Sequence, residues 1–264
     1  MIPIYPTLPP ETLIAATPVP CIGCRNGQLF ELQFEYAYQP IVEVSSRSVF
    51  AHEALVRGPE GQSAASILAE INDSNRYQFD QACRVKAVAG AARLGMEGFL
   101  SINFLPNAVY RPEVCIRTTL AAAQVHNFPI ERIIFEVTEG EKVQDRPHLV
   151  NIFREYRRFG FKTAIDDFGA GYAGLNLLAG YQPDIVKIDM DLVRGIDQHI
   201  PRQVIVVGIV KICKDLGIRV LAEGIETKAE RDFLISAGID LMQGYWFCKP
   251  VFQGLGTIHD DAWV

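Results

Sequence analysis

Residues 162–172 read Lys-Thr-Ala-Ile-Asp-Asp-Phe-Gly-Ala-Gly-Tyr, an apolar run that ends in two aspartates and a glycine-rich turn. A similar run follows at 185–189, Ile-Val-Lys-Ile-Asp, and it also carries polar residues near its end. Short apolar runs separated by longer segments of helical period predict buried, mostly parallel strands. The carboxyl ends of such strands meet at one place in the fold, so we expect the functional site there.

The same alternation continues outward in both directions along the chain. Eight strands are predicted, at 34–44, 49–57, 99–105, 132–138, 162–168, 185–189, 219–224 and 241–247. Helices are predicted between them at 64–73, 80–94, 112–124, 147–159, 202–216 and 228–237. Eight strands in about 250 residues favour a closed α/β barrel of the (β/α)8 type, with a doubly wound open sheet as the alternative. The link between the first two strands is too short for a parallel crossover, so one of them is expected to run antiparallel.

The chain divides into an extension and one domain. Residues 1–26 contain six prolines and a Cys21-Ile-Gly-Cys24 motif, which suits an extended arm. No second cysteine pair or pair of histidines lies near it, so a zinc site would lack ligands. A redox role is the alternative, but the motif follows Pro18 and Pro20 in the extension and not a strand-to-helix turn, so we interpret the two cysteines as incidental packing. Residues 27–264 are predicted to form the single folded domain.

Composition excludes several classes of protein. The net charge is −6, and no basic cluster compensates for it, so duplex nucleic acid is not an expected partner. No apolar run approaches the length of about 20 residues that a membrane span requires, so we expect no membrane association. The first 24 residues lack Lys and Arg, and the six cysteines are scattered, so we expect a cytoplasmic protein.

Polar residues interrupt almost every predicted strand near its carboxyl end: Glu53, Asn103, Glu136, Asp166, Asp167, Lys187, Asp189, Glu223 and Gln243. A single carboxylate in such a place is more often solvated or capping a helix. Five of these carboxylates and the lysine, converging on a partly desolvated mouth, need additional positive charge, which two divalent cations would supply. Oxygen ligands without thiolate or imidazole indicate Mg²⁺ or Mn²⁺. Paired ions of this kind typically serve phosphoryl displacement.

Several of these residues support more specific interpretations. Asp166 and Asp167 reach one site only if the chain bends at the strand end, and Gly169 permits that bend. Lys187 interrupts an apolar run and therefore needs an anionic partner, which indicates contact with a phosphate oxygen or a metal-bound hydroxide. Arg57 lies four residues after Glu53, ~13 Å further along the strand, where it suits a second phosphate or a surface ion pair.

These residues, in this order, resemble the EAL-domain family of cyclic di-GMP phosphodiesterases. The Glu-Ala-Leu motif that gives the family its name corresponds to Glu53-Ala54-Leu55 in this sequence. The resemblance covers residues 30–250 approximately. The matching blocks are 38–42, 53–55, Asn103, 136–139, 166–169, 187–189, 223–226 and 243–245.

The resemblance implies a modified (β/α)8, TIM-like barrel with one antiparallel strand and hydrolysis of cyclic di-GMP to linear pGpG in bacterial second-messenger signalling. It implies that one metal ion is held by Glu53, Asn103, Glu136 and Asp166, and the other by Asp166, Asp167 and Glu223. A water between the ions would be the nucleophile, oriented by Lys187. Glu223 would either bind metal or accept the proton, and these two roles stay open.

The resemblance also implies roles around the metals. Arg57, Leu55 and Gln243 would contact the substrate, and Gln243 and Asp189 would support the metal ligands. Glu139 would anchor the loop that begins at Gly169, with Glu226 as a further supporting residue. That loop departs from the commonest family pattern at Ala170, Ala173 and Gly174, where Thr and two Ser are usual, so its effect on rate and dimerisation is open.

Two alternatives accompany this interpretation. One is a member of the family that binds cyclic di-GMP without cleaving it; no ligand position is missing, which disfavours it. The other is a Mg²⁺-dependent barrel enzyme that acts on a carboxylate substrate with Lys187 as its base, but it gives Glu53, Asn103 and Asp167 no shared purpose. The family resemblance also implies a homodimer, and we expect regulation through expression, oligomerisation, the extension or a separate regulatory protein.

Overall fold

The computed structural model of the chain describes residues 32–138, 146–171 and 174–264. The predicted extension with Cys21 and Cys24, and the predicted loop anchor Glu139, lie outside these ranges. None of the helices within them is long and apolar enough to cross a bilayer.

Eight strands close into a barrel: β1 (Glu35–Glu43), β2 (Ser48–Arg57), β3 (Phe99–Asn103), β4 (Ile133–Thr138), β5 (Lys162–Phe168), β6 (Ile185–Ile188), β7 (Arg219–Ala222) and β8 (Leu241–Met242). Neighbours from β2 to β8 run parallel. Strand β1 is antiparallel to both β2 and β8 and closes the ring, while β9 (Val251–Phe252) extends the sheet beside β1. The predicted barrel with one antiparallel strand is confirmed.

Helices cover the outside of the barrel. They are α1 (Ala64–Leu68), α2 (Arg76–Arg93), α3 (Pro112–Cys115), α4 (Arg117–Val125), α5 (Arg146–Arg158), α6 (Gly174–Gly180), α7 (Met190–Val193), α8 (Ile200–Asp215) and α9 (Lys228–Ser236). Short 3-10 turns lie at 106–108, 130–132, 196–198 and 260–263. Apolar side chains between these helices and the strands form the main core, in which Phe153 stacks on Tyr181 with ring centroids 4.9 Å apart.

The barrel interior is divided into an apolar and a polar layer. Its amino-terminal half is filled by a separate cluster of Ile41, Ala51, Ile134, Ala164, Ile185, Leu221 and Leu241. Side chains two positions apart on a strand share a face, so the residues next to this cluster toward the carboxyl mouth are also interior. They are Gln39, Glu53, Glu136, Asp166, Lys187, Glu223 and Gln243. One period-two pattern therefore builds both the interior core and the polar mouth.

Some predicted boundaries were wrong. The last barrel strand ends at Met242 instead of Phe247. After Met242 the chain leaves the sheet and packs against the loop that follows β7. There the Ile225 N–H donates to the Gln243 carbonyl, and a Cβ added at Gly244 would lie 2.1 Å from the Ile225 carbonyl oxygen. Helix α1 is shorter than predicted, the predicted helix 112–124 is two helices, and β9, α6 and α7 were not predicted.

Candidate active site

Lys187 lies at the centre of the polar layer, 1% exposed. Its Nζ contacts four carboxylates from four different strands or strand ends: Glu136 Oε2 at 2.8 Å, Glu223 Oε1 at 2.8 Å, Asp166 Oδ1 at 3.0 Å and Glu53 Oε2 at 3.6 Å. Glu136 is fully enclosed, and Glu53 and Asp166 are buried as well. One cation therefore faces four carboxyl groups in an environment that water screens poorly.

The pKa values of these groups show the shortage of positive charge. Burial lowers the pKa of Lys187, but the surrounding carboxylates outweigh that effect and hold it well above its ordinary value, so the lysine stays charged. Burial raises the pKa of Glu136 to about 8 despite the nearby lysine, and it raises that of Glu223 well above its ordinary value. Burial, Asp166 and Asp189 together raise the pKa of Asp167 to about 6.

The carboxylate oxygens form two groups with the spacing of metal ligands. Glu53, Glu136 and Asp166 offer oxygens within 4.8 Å of one another, and so do Asp166, Asp167 and Glu223. Asp166 belongs to both groups, as a bridging ligand would. Within the described residues, Glu136 Oε1 is buried and lacks a hydrogen-bond partner. A buried polar atom normally has a partner, and a bound cation would satisfy this oxygen. These donors fit two hard divalent ions.

A bend at the end of β5 lets both adjacent aspartates face the site. Asp167 has a φ of +53°, in the left-handed region, and the register with β6 shifts between Ile165 and Phe168. The Asp167 N–H donates to Asp166 Oδ1 at 2.9 Å. Gly169 follows with a φ of +102°, and a Cβ there would lie 2.5 Å from Leu192 Cδ1, so the bend requires glycine.

Amide side chains orient Glu53 from two sides. Asn103 Nδ2 donates to Glu53 Oε1 at 3.0 Å, and Gln243 Nε2 donates to Glu53 Oε2 at 2.9 Å. Gln243 also donates to Gln39 Oε1 at 3.2 Å, and Gln39 in turn donates to the Cys248 carbonyl at 3.1 Å. Gln39 has no role among the sequence predictions; the signal available in the sequence is a glutamine between two apolar stretches of β1.

The site opens into a cavity of about 260 Å³. Glu53, Asp167, Asp189, Glu223 and Gln243 line it, and its wall continues through Met190, Arg194, Glu226 and Tyr245. Glu226 pairs with Arg194 there, with Nη2 donating to Oε1 at 2.8 Å. Asp189 has a second role, since its side chain accepts the Asp191 N–H at 2.8 Å and caps α7.

The structure thus brings together most of the predicted residues: Glu53, Asn103, Glu136, Asp166, Asp167, Lys187, Asp189, Glu223, Glu226 and Gln243. Leu55 and Arg57 lie further along β2, half-buried and outside the cavity lining. The Arg57 guanidinium donates to the Val56 carbonyl at 2.8 Å. The two predicted substrate contacts on β2 therefore do not line the cavity.

Comparison with known proteins shows a broad similarity. The model of the EAL domain family matches residues 27–250. The chain is similar to a standalone versatile EAL protein from Vibrio cholerae O395 in its c-di-GMP bound form, with 52% identity, a TM-score of 0.86, and 89% of this chain and 99% of that chain covered. It is also similar to BlrP1 from Klebsiella pneumoniae in a manganese and cyclic di-GMP complex, with 38% identity, a TM-score of 0.82, and 87% and 59% covered.

The chain is also 34% identical over 230 residues to the blue light- and temperature-regulated antirepressor BluF of Escherichia coli K12. The match covers 86% of this chain and 56% of BluF. A second relative is the cyclic di-GMP phosphodiesterase PdeB of Shewanella oneidensis, 31% identical over 159 residues, 60% of this chain and 18% of PdeB. The chain therefore spans little more than half of BluF and less than a fifth of PdeB.

Proposed function

Because the chain belongs to the EAL domain family, we propose that it is a metal-dependent phosphodiesterase that hydrolyses cyclic di-GMP to linear pGpG in the bacterial cytoplasm. One observation carries this proposal: two groups of metal-type oxygens share Asp166 around a buried, charged Lys187 at the barrel mouth. Domain boundaries at 1–26 for the extension and 27–264 for the catalytic domain are part of the same proposal.

In this proposal Glu53, Asn103, Glu136 and Asp166 hold one divalent ion, and Asp166 and Asp167 hold the other, with Mg²⁺ or Mn²⁺ as the ions. Glu223 is either a third ligand of the second ion or the proton acceptor. Bound there, the ions would stabilise the attacking and leaving oxygens of the phosphodiester and lower the pKa of water. The Asn103 amide has a fixed orientation for this task, because its Nδ2 donates to Glu53 and leaves its oxygen free to face the ion.

Lys187 and Glu223 are the groups that would handle the nucleophilic water. Lys187 Nζ carries donors among the metal-type oxygens and would orient the water for attack on phosphorus. Glu223 Oε1 lies 2.8 Å from that ammonium, and burial raises the pKa of this carboxyl group, which makes it a stronger base than an exposed glutamate. One P–O ester bond breaks, the water oxygen joins the phosphate, and its protons pass to Glu223 and the leaving ribose oxygen.

The remaining predicted residues would bind the substrate and support the loops. Gln243, which lines the cavity, and Leu55 and Arg57, which lie further along β2, are proposed substrate contacts, with Arg57 for the second phosphate. Glu139 is proposed to anchor the loop from Gly169, and Asp189 and Glu226 to support the site. Both relatives solved with cyclic di-GMP agree with a ligand of this class.

We also propose a homodimer and regulation through it or through a separate protein. The outward face of α8 exposes Ile200, Val204, Ile205 and Val207, with exposed fractions of 71%, 67%, 49% and 48%. An apolar face of this kind commonly marks a protein interface. Light scattering should give twice the chain mass, and Val204→Glu should halve it.

A second candidate function is a regulatory module that binds cyclic di-GMP without cleaving it, which the similarity to the antirepressor BluF favours. Incubation of the purified protein with cyclic di-GMP and Mg²⁺ or Mn²⁺, followed by anion-exchange chromatography, separates the two. We expect pGpG from the native protein and none from Glu53→Ala. Binding of cyclic di-GMP without formation of pGpG would support the regulatory module. In a parallel assay, turnover of sugar acids in place of cyclic di-GMP would support an enzyme that acts on a carboxylate substrate.

A further inference from the structure

A second buried ion pair lies outside the barrel, behind the polar layer. Asp80 and Arg84 stand one turn apart on α2, with Arg84 Nη2 at 2.8 Å from Asp80 Oδ2, and the two residues are 2% and 0% exposed. Burying two charges in this way costs desolvation energy, and well-packed apolar residues often serve stability equally well. Stability alone therefore does not explain the ion pair, and its role is inferred from the other groups that Asp80 and Arg84 contact.

Asp80 holds the chain directly after Asn103. Its Oδ1 accepts the backbone N–H of Leu105 at 2.9 Å. The preceding N–H, of Phe104, donates to the carbonyl of Glu136 at 3.0 Å. The parallel register of β3 and β4 ends at the pair Asn103 and Glu136, so these two bonds fix the path of the chain immediately beyond two proposed metal ligands.

Arg84 holds the outer faces of the same two strands. Its Nη1 donates to the Tyr156 hydroxyl on α5 at 2.7 Å. Its guanidinium lies over the rings of Phe135, at 4.9 Å, and Phe104, at 5.7 Å. Phe135 directly precedes Glu136 and Phe104 directly follows Asn103, so the cation packs against the neighbours of both ligands from the opposite side of the sheet.

We propose that Asp80 and Arg84 are positioning residues, which hold the carboxyl ends of β3 and β4 so that Asn103 and Glu136 face one metal ion at the correct separation. This inference rests on the proposed metal-dependent function, but it concerns residues that touch neither metal nor substrate. The bond from Leu105 to Asp80 is the contact that carries it, because that bond fixes the chain nearest to Asn103.

Two double variants test this bond without leaving a buried charge unpaired. In D80L/R84M the Leu105 N–H loses its acceptor. In D80N/R84M both charges are equally absent, but the asparagine oxygen still accepts that N–H. Ile218→Ala, at the amino-terminal end of β7 and 5% exposed, is the control for general loss of packing at the opposite end of the barrel.

The measurement is the dissociation constant for Mn²⁺ alone, from the electron paramagnetic resonance signal of the free ion, with thermal unfolding and turnover of cyclic di-GMP recorded in parallel. We expect D80L/R84M to bind Mn²⁺ about 10-fold more weakly than the native protein, and D80N/R84M and Ile218→Ala within about 3-fold of it. Equal affinity of the two double variants would overturn the inference.

A measurement on the native protein covers the case in which D80L/R84M does not fold. Amide hydrogen exchange of Leu105 should be as slow as that of the β3 amides, and fast exchange there would contradict the inference. The proposed function fails separately, if the native protein neither binds Mn²⁺ nor turns over cyclic di-GMP. If the native protein binds Mn²⁺ and turns over cyclic di-GMP while the two double variants bind Mn²⁺ equally well, only the positioning role of Asp80 and Arg84 is excluded.

Discussion

Lys187 Nζ lies 2.8 Å from Glu136 Oε2, and neither side chain is more than 1% exposed. The pair sits among three further carboxylates, so the lysine is a resident counter-charge for a site built to hold cations.

Replacement of the central lysine should make folding depend more strongly on metal. In EDTA, Lys187→Met leaves four carboxylates without their internal cation, and the free energy of unfolding should fall by about 3 kcal/mol. Because Mn²⁺ replaces the missing charge, it should raise the melting temperature of the variant more than that of the native protein. Lys162→Met is the matched control, since that lysine is partly exposed and 3.9 Å from Asp184 Oδ1. Equal metal-induced shifts in both variants would contradict the account.

Loss of the amide that orients Glu53 should weaken metal binding. Gln243→Leu removes the donor 2.9 Å from Glu53 Oε2, and we expect the Mn²⁺ dissociation constant to rise about 10-fold. Gln39→Leu acts one hydrogen bond further away and should have a smaller effect. Isothermal titration calorimetry measures both constants, and an unchanged constant for Gln243→Leu would show that the amide does not orient the ligand.

The metal-free protein should gain stability when Asp167 loses its charge. Folding raises the pKa of Asp167 from 3.8 to about 6. At a pH between these two values the folded state binds more protons than the unfolded state, so the native protein loses stability as the pH rises through this range. Asp167→Asn removes this loss and keeps a residue type that tolerates the positive φ.

Since Asp167 is half-buried, solvent screening limits the gain to about 1 kcal/mol at pH 7, and it should vanish below about pH 4. Urea denaturation in EDTA at the two pH values measures it. The same variant should lose turnover. A variant less stable than the native protein at pH 7 would show that the carboxylate stabilises the fold.

Much of the fold was predictable because the barrel strands carry a simple pattern. Each interior polar residue, such as Glu136 or Lys187, lies two positions from an interior apolar residue, and strand ends in a parallel sheet converge. The end of β8 was not predictable. Gly244 leaves the sheet because its backbone packs closely against Ile225, and no local sequence pattern reveals a contact between residues so far apart in the chain.

The supports behind the site were also hidden in the sequence. An acid and a base four residues apart on a helix ordinarily indicate an exposed ion pair, and only the packing of α2 shows that Asp80 and Arg84 are enclosed. The capping role of Asp189 and the contact of Gln39 with Gln243 likewise depend on three-dimensional neighbours.

The most direct test of the central claim is mass spectrometry of cyclic di-GMP after incubation with the purified protein and Mn²⁺ in water labelled with heavy oxygen. Hydrolysis at the proposed site predicts linear pGpG with one labelled oxygen on its terminal phosphate, and no such product from Glu53→Ala. Unchanged cyclic di-GMP, from native protein that binds both the nucleotide and Mn²⁺, would contradict the account.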